Sequence, residues 1–175
     1  HQIMTGLKLH LLALAVLFVL LSQTQLLHSS VEIGSISEVR GNAQVLRDKA
    51  YGAELKFDIQ QMDDVRTEAG RVAITFEDSS TVKLTEHSKL VIDEYIYDPD
   101  PSKSKMALKF ASGTARFITG KFNNKSNISI RTPTAQIAIR GTDFTCTVDE
   151  LGRSLVILLP DENGISSGEI IVATA

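Results

Sequence analysis

From Arg71 onwards, apolar and polar side chains alternate with a period of two. Val72, Ile74 and Phe76 alternate with Arg71, Ala73 and Thr75; Val82 and Leu84 flank Lys83; and Leu90 and Ile92 continue the pattern. Further on, Ile128 and Ile130 alternate with Asn127, Ser129 and Arg131. Ile137 and Ile139 alternate with Gln136, Ala138 and Arg140, and Phe144, Cys146 and Val148 with Thr145 and Thr147. A period of two places alternate side chains on opposite faces of an extended chain, so each run predicts a strand with one apolar and one wet face. Polar stretches separate the runs, as in Glu77-Asp78-Ser79-Ser80, and glycines punctuate them at positions 34, 41, 52, 70, 113, 120, 141 and 152. Short strands with regularly spaced turns predict an all-β domain, either wound as a β-solenoid or packed as a sandwich.

Little in the chain competes with that reading. Ala53–Asp64 is the nearest approach to a helical pattern, and it is weak. The loop Ile96–Met106 holds Pro99 and Pro101 among Asp and Ser, and Phe122–Asn127 is a second polar connection. Both link β blocks within one domain of residues 31–175, since neither side alone is long enough for a comfortable core. The closing "GEIIVATA" reads as a strand under way at Ala175, which predicts further sequence beyond it.

The first thirty residues differ from the rest. Lys8 is followed by an unbroken apolar run from Leu11 to Leu21, and no acidic residue occurs before Glu32. A basic start, a short apolar core and a polar exit are the marks of a secretory signal peptide, and eleven apolar residues fall short of the ~20 needed to span a bilayer. Residues 1–30 are therefore expected to be a signal peptide. If uncleaved, they form a signal anchor, extended by Leu26 and Leu27, that touches membrane only through residues 4–27. The expected destination is the periplasm or cell envelope. Without the leader the chain keeps 17 basic and 21 acidic residues, a balance of 17 − 21 = −4. Such a surface has no footprint for nucleic acid.

Candidate chemistry is sparse in what remains: one histidine, one cysteine and no tryptophan. Cys146 lies on the apolar side of its strand, where burial makes a thiol a small inert hydrophobe. His87, beside Glu86, reads as a solvated turn residue, because no Ser carries an elbow motif and no second imidazole could complete a zinc site. Asp63-Asp64 and Glu77-Asp78 raise the idea of paired carboxylates, but neighbours on a strand point to opposite faces. Asp98-Pro99-Asp100 lacks a calcium-loop ladder. Asn124-Lys125-Ser126 and Asn127-Ile128-Ser129 match the glycosylation sequon, a short match that carries weight only where the source has the glycosylation machinery. No phosphate loop or dinucleotide fingerprint is present; no cofactor, metal or catalysis is expected.

The densest stretch is "RTPTAQIAIRGTDFTCTV", from Arg131 to Val148. Pro133 lacks an N–H and suits a strand's start, Thr132 before it is pushed into extended geometry, and Gly141 permits a tight bend. Thr142 and Asp143 can bond to the backbone of that bend. The stretch thus reads as strand, corner, strand, with Thr132, Pro133, Arg140, Gly141 and Thr142 as the corner. The Arg140 guanidinium could cap carbonyls of a neighbouring turn, the preferred reading, or face a partner's carboxylate.

The same stretch resembles the signature of the FecR domain, in which a Thr-Pro, an apolar pair and an Arg-Gly-Thr-x-Phe follow one another. "IGSISEVRGNAQVLR" (33–47), "MDDVRTEAGRVAITFEDSSTVKL" (62–84) and "LKFASGTARFITG" (108–120) resemble its other parts, in order, over about residues 31–160. The resemblance, with the glycine-punctuated strands, tilts the expected architecture towards the wound form. It implies an exported, non-enzymatic envelope module that binds another envelope protein, such as an outer-membrane transporter or a membrane regulator, as part of a signalling relay. The well-known members hold a sigma factor through a cytoplasmic domain ahead of their membrane segment, and the few residues ahead of Leu11 do not suit that role. The alternative is a module that binds surface glycan or serves structurally, and a third reading is a hydrolase using His87. Two departures from the family stand out. Asp63-Asp64 takes the place of a Gly-Asp, and Asp78-Ser79-Ser80 that of an Asp-Gly-Ser, so both turns are expected to be wider or reshaped.

Overall fold

Fourteen strands follow one another in the computed structural model, which describes residues 31–120, 127–140, 143–160, 164 and 168–174. The expected leader, residues 1–30, lies outside the described residues, as does most of the 122–127 connection. The first eight strands are β1 (Glu32–Arg40), β2 (Ala43–Leu46), β3 (Ala50–Gly52), β4 (Asp58–Gln60), β5 (Asp64–Thr67), β6 (Arg71–Phe76), β7 (Thr81–Leu84) and β8 (Lys89–Ile96). The last six are β9 (Lys105–Ile118), β10 (Asn127–Arg131), β11 (Ala135–Arg140), β12 (Phe144–Val148), β13 (Ser154–Leu158) and β14 (Glu169–Thr174). Among the described residues a single 3₁₀ turn, Pro101–Lys103, interrupts them, in the loop that closes the β8–β9 hairpin. Where the sequence offered a weak helical pattern, in 53–64, the chain instead forms β4 between turns.

The alternating runs become strands because that alternation buries one face. Val72, Ile74, Phe76, Val82, Leu84, Leu90, Ile92, Ile128, Ile130, Ile137, Ile139, Phe144, Cys146 and Val148 are all buried. Each large aliphatic or aromatic side chain taken from water in this way contributes about 1.5–3 kcal/mol.

The long strand β9 organises the sheet. Its first half pairs with β8 and, in the one parallel pairing, with β10; its second half pairs with β7 and β12. Gly113 is the handover. It sits at φ +97, and a Cβ there would overlap the Ser88 side chain. Two arms diverge from β9: β8-β5-β2-β3 and β10-β11-β14 extend its first half, and β7-β6-β1-β4 and β12-β13 its second. The sheet curls so that Phe76 of β6 stacks on Tyr95 of β8, ring centroids 5.1 Å apart.

This is a curled open sheet. The solenoid that the glycine spacing favoured would stack parallel coils. Here every pairing but β9–β10 is antiparallel: short connections such as Glu77–Ser80 return β7 beside β6, β3 beside β2, β11 beside β10 and β13 beside β12, a longer loop returns β9 beside β8, and the other antiparallel pairings join strands that are not consecutive.

Non-glycine residues take left-handed backbone in both turns where the family has a glycine. Ser79 adopts φ 69, the left-handed conformation that a glycine would take in Asp-Gly-Ser. In the other turn the left-handed residue is Met62, at φ 72, one position before the Asp63-Asp64 pair. Non-glycine residues thus bear the strain of a left-handed backbone in both turns.

Candidate functional site

The corner stretch is built from two hairpins in contact. β10 and β11 pair from Ile128 opposite Ile139 to Arg131 opposite Gln136, leaving Thr132–Ala135 as a tight turn. Thr132 is buried, and its hydroxyl accepts from Ala135 N at 3.0 Å and Thr134 N at 3.3 Å and shares a 2.6 Å hydrogen bond with Ser154. Thr134 donates its hydroxyl to the Gly152 carbonyl at 2.6 Å. Gly152, at φ +79, lies in the β12–β13 turn against Pro133. Asp149 holds that turn by accepting from the Leu151 and Arg153 amides at 2.9 Å each and from Arg153 Nε at 2.6 Å. Thr132 and Pro133 thus fasten one hairpin to the next.

Arg140 is not part of that fastening. It ends β11 opposite Glu169 of β14, a strand's length of about 17 Å from the Thr132 turn. Its side chain is exposed, and no hydrogen bond to its guanidinium occurs among the described residues. Gly141 and Thr142 lie outside the described residues. Asp143, which follows them, accepts from the Thr119 amide and hydroxyl at 2.8 and 2.9 Å and so pins the end of β9.

The far end of this region is open. Among the described strands, β13 pairs only with β12, and β14 only with β11. Both are apolar and exposed. Leu155 and Ile157 face outwards, Ile171 is half-exposed, and Val172 is 60% exposed although it pairs with the buried Ile137 on the core-facing side. A hollow of about 580 Å³ opens there, lined by Ala135, Ile137, Val156, Leu158, Ile170 and Val172 among others. On the outer surface a shallower trough of about 300 Å³ crosses β9, β10 and β11, with Ala107 and Ala138 among its lining and Lys109, Arg131 and Gln136 beside them. The opposite ends of the two arms are blunter: β3 and β4 have three residues each. An apolar strand with one unpaired edge is a template for association.

Two buried carboxylates are held by hydrogen bonds inside the fold. Asp63 is wholly buried and gripped by Arg47 through two 2.7 Å hydrogen bonds, with the Gln60 amide donating a third at 2.8 Å. The Asp63 hydrogen bonds hold the Arg47 guanidinium even more firmly protonated than usual. Its neighbour Asp64 points the other way, to Arg66. Asp78, also buried, accepts from the Ser80 hydroxyl at 2.6 Å and the Tyr95 hydroxyl at 2.8 Å. Burial, then the bond to Asp78, drives the Tyr95 phenol far above its ordinary pKa. These partners, 16 and 17 positions apart, carry no mark in the sequence pattern.

The remaining candidates take their bland roles. Cys146 is fully buried, and burial pushes its thiol up to about 11. His87 is an exposed turn residue at φ 56. Asp98 and Asp100 accept from backbone amides of their own loop. Among the described residues no three His, Cys, Asp or Glu side chains converge as metal ligands, and no helix is long and apolar enough to cross a membrane. Of the sequons, residues 124–126 and the Asn127 side chain lie outside the described residues.

Comparison with known proteins gives one family. The model described as "FecR protein" matches residues 63–160, more than half of the chain. The match starts at Asp63, later than the likeness seen from residue 31, although β1 and β2 pair into the same sheet. No curated protein and no solved structure matches.

Proposed function

Since the chain belongs to the FecR family, whose members act in signalling and regulation at the cell envelope, we propose that it is an exported, non-enzymatic envelope module that binds another envelope protein as a link in such a relay. One observation carries this reading. Of nine large apolar side chains exposed in the described structure, five (Leu151, Leu155, Ile157, Ile171 and Val172) fall on β13, β14 and the turn before β13. Exposed apolar side chains on strands with an unpaired edge suit a protein that adds its own strand or packs an apolar face there. Glycan recognition, by contrast, uses aromatic platforms, and this end carries no aromatic side chain among its exposed residues. The Thr132–Pro133 turn supports the same surface from beneath by fixing β10–β11 to β12–β13.

The test is site-specific photo-cross-linking of the full chain in its native envelope. A cross-linker at Ile157 or Ile171 is expected to yield a discrete protein adduct that a cross-linker at Tyr51, near the opposite edge, does not. Adducts to glycan alone would favour the carbohydrate-binding alternative and remove this reading.

A further inference from the structure

One row of side chains crosses the outer face of the second arm. Register pairs Glu38 with Ala73, Ala73 with Lys83, Lys83 with Arg116, and Arg116 with Thr145, which in turn faces Ile157. Lys83 and Arg116 are directly opposed, and like charges in that position repel. Neither forms an ion pair among the described residues. The other charged groups at this place are already engaged: Glu38 with Arg40 at 3.8 Å, and Arg71 with Glu86 at 3.0 Å. A hollow of about 280 Å³ lies between these groups, where Ala73 leaves room and Thr85 and Thr114 add hydroxyls.

We propose that Lys83 and Arg116 form a notch that receives a carboxylate side chain of a partner protein. Two opposed cations left without a counter-charge, on a module with a balance of −4 after residue 30, complement a single anionic group and not a polyanionic surface, which the rest of the module repels. The guanidinium fork matches a carboxylate in two parallel hydrogen bonds, and the ammonium closes the pocket. A hollow of this size holds an acidic side chain and the hydrogen-bonding backbone on either side of it. The notch also lies in the row that ends at Ile157, about 10 Å away across two strand spacings. A partner covering the apolar edge therefore reaches it. The inference thus rests on the protein-binding reading and specifies the chemistry of the partner.

The experiment is an NMR titration of the full chain in non-ionic detergent. The probes are a capped Thr-Glu-Thr-Glu-Thr-Glu peptide, its Gln counterpart and inorganic phosphate. The acidic peptide is expected to shift the Lys83, Thr114 and Arg116 signals, to weaken with salt, and to lose at least tenfold in affinity in Lys83→Gln and in Arg116→Gln. The unliganded Lys83→Gln protein is expected to melt no lower than the parent, because a repulsion is removed; that separates lost binding from lost fold. Shifts that ignore both substitutions overturn the notch. Equal binding of the Gln peptide, or phosphate bound at these residues as tightly as the acidic peptide, overturns the carboxylate assignment. Adducts at Ile157 in the native envelope are read independently, so failure of the notch and failure of the apolar edge are told apart.

Discussion

Arg47 holds Asp63 through two parallel hydrogen bonds of 2.7 Å, and Asp63 has no exposed surface. The guanidinium lies over the rings of Tyr51 and Phe57, 5.6 and 5.4 Å from their centroids. This pair ties β2's end to the turn that opens β5. Asp63→Asn keeps the shape but strips the charge from a desolvated partner, which costs about 2–4 kcal/mol given that Arg47 is partly wet. Urea unfolding of the two proteins measures it. A cost under about 0.5 kcal/mol would show that the pair is not what holds this turn.

Met62 and Ser79 hold left-handed backbone at φ 72 and 69 without being glycine. Met62→Gly and Ser79→Gly should each raise stability by about 0.5–1 kcal/mol, since the folded state loses strain that exceeds the entropy a glycine adds. Ser79→Ala keeps the strain and should leave stability nearly unchanged. Denaturant midpoints at constant slope distinguish these cases.

Gly113→Ala should be severely damaging. Its backbone is left-handed, and the added carbon meets Ser88, whose hydroxyl receives a hydrogen bond from the Thr114 amide. We expect a loss above about 2 kcal/mol or failure to fold. Near-parental melting would mean that β9 does not turn at this residue.

The Cys146 thiol should resist a thiol reagent at pH 8 in the native protein and react fully once unfolded. Its pKa is raised from 9.0 to about 11 by burial. In the window between those values the unfolded chain gives up its proton and the folded one keeps it. The stabilising difference is therefore complete below about pH 9 and lost as pH rises through about 11. Cys146→Ala should flatten that part of the pH–stability curve; an unchanged slope would assign it elsewhere.

Much of this fold was legible in the chain. The alternations at 72–76, 82–84, 128–130, 137–139 and 144–148 became β6, β7, β10, β11 and β12 with the expected residues buried, because burial of one face is a local consequence of period two. Which strands pair was not legible. Nothing near Gly113 announces that β9 changes partners there, since the reason is Ser88, in the turn ahead of β8. In the corner stretch Thr132–Ala135 turns between β10 and β11, Arg140 stands at the other end of β11, and Gly141 and Thr142 lie outside the described residues. The Asp63 and Asp78 networks stayed hidden because a carboxylate looks the same in sequence whether its partner is water or a buried arginine or tyrosine.

The central claim, that the open end formed by β13 and β14 is a protein-contact surface, is tested most directly by hydrogen exchange. The full chain is measured alone and with solubilised proteins of its native envelope. The account predicts slowed exchange confined to the amides of Ser154–Leu158 and Glu169–Thr174, reversed by Ile157→Lys. Unchanged exchange at both strands, or protection that appears only around β3 and β4, would contradict it.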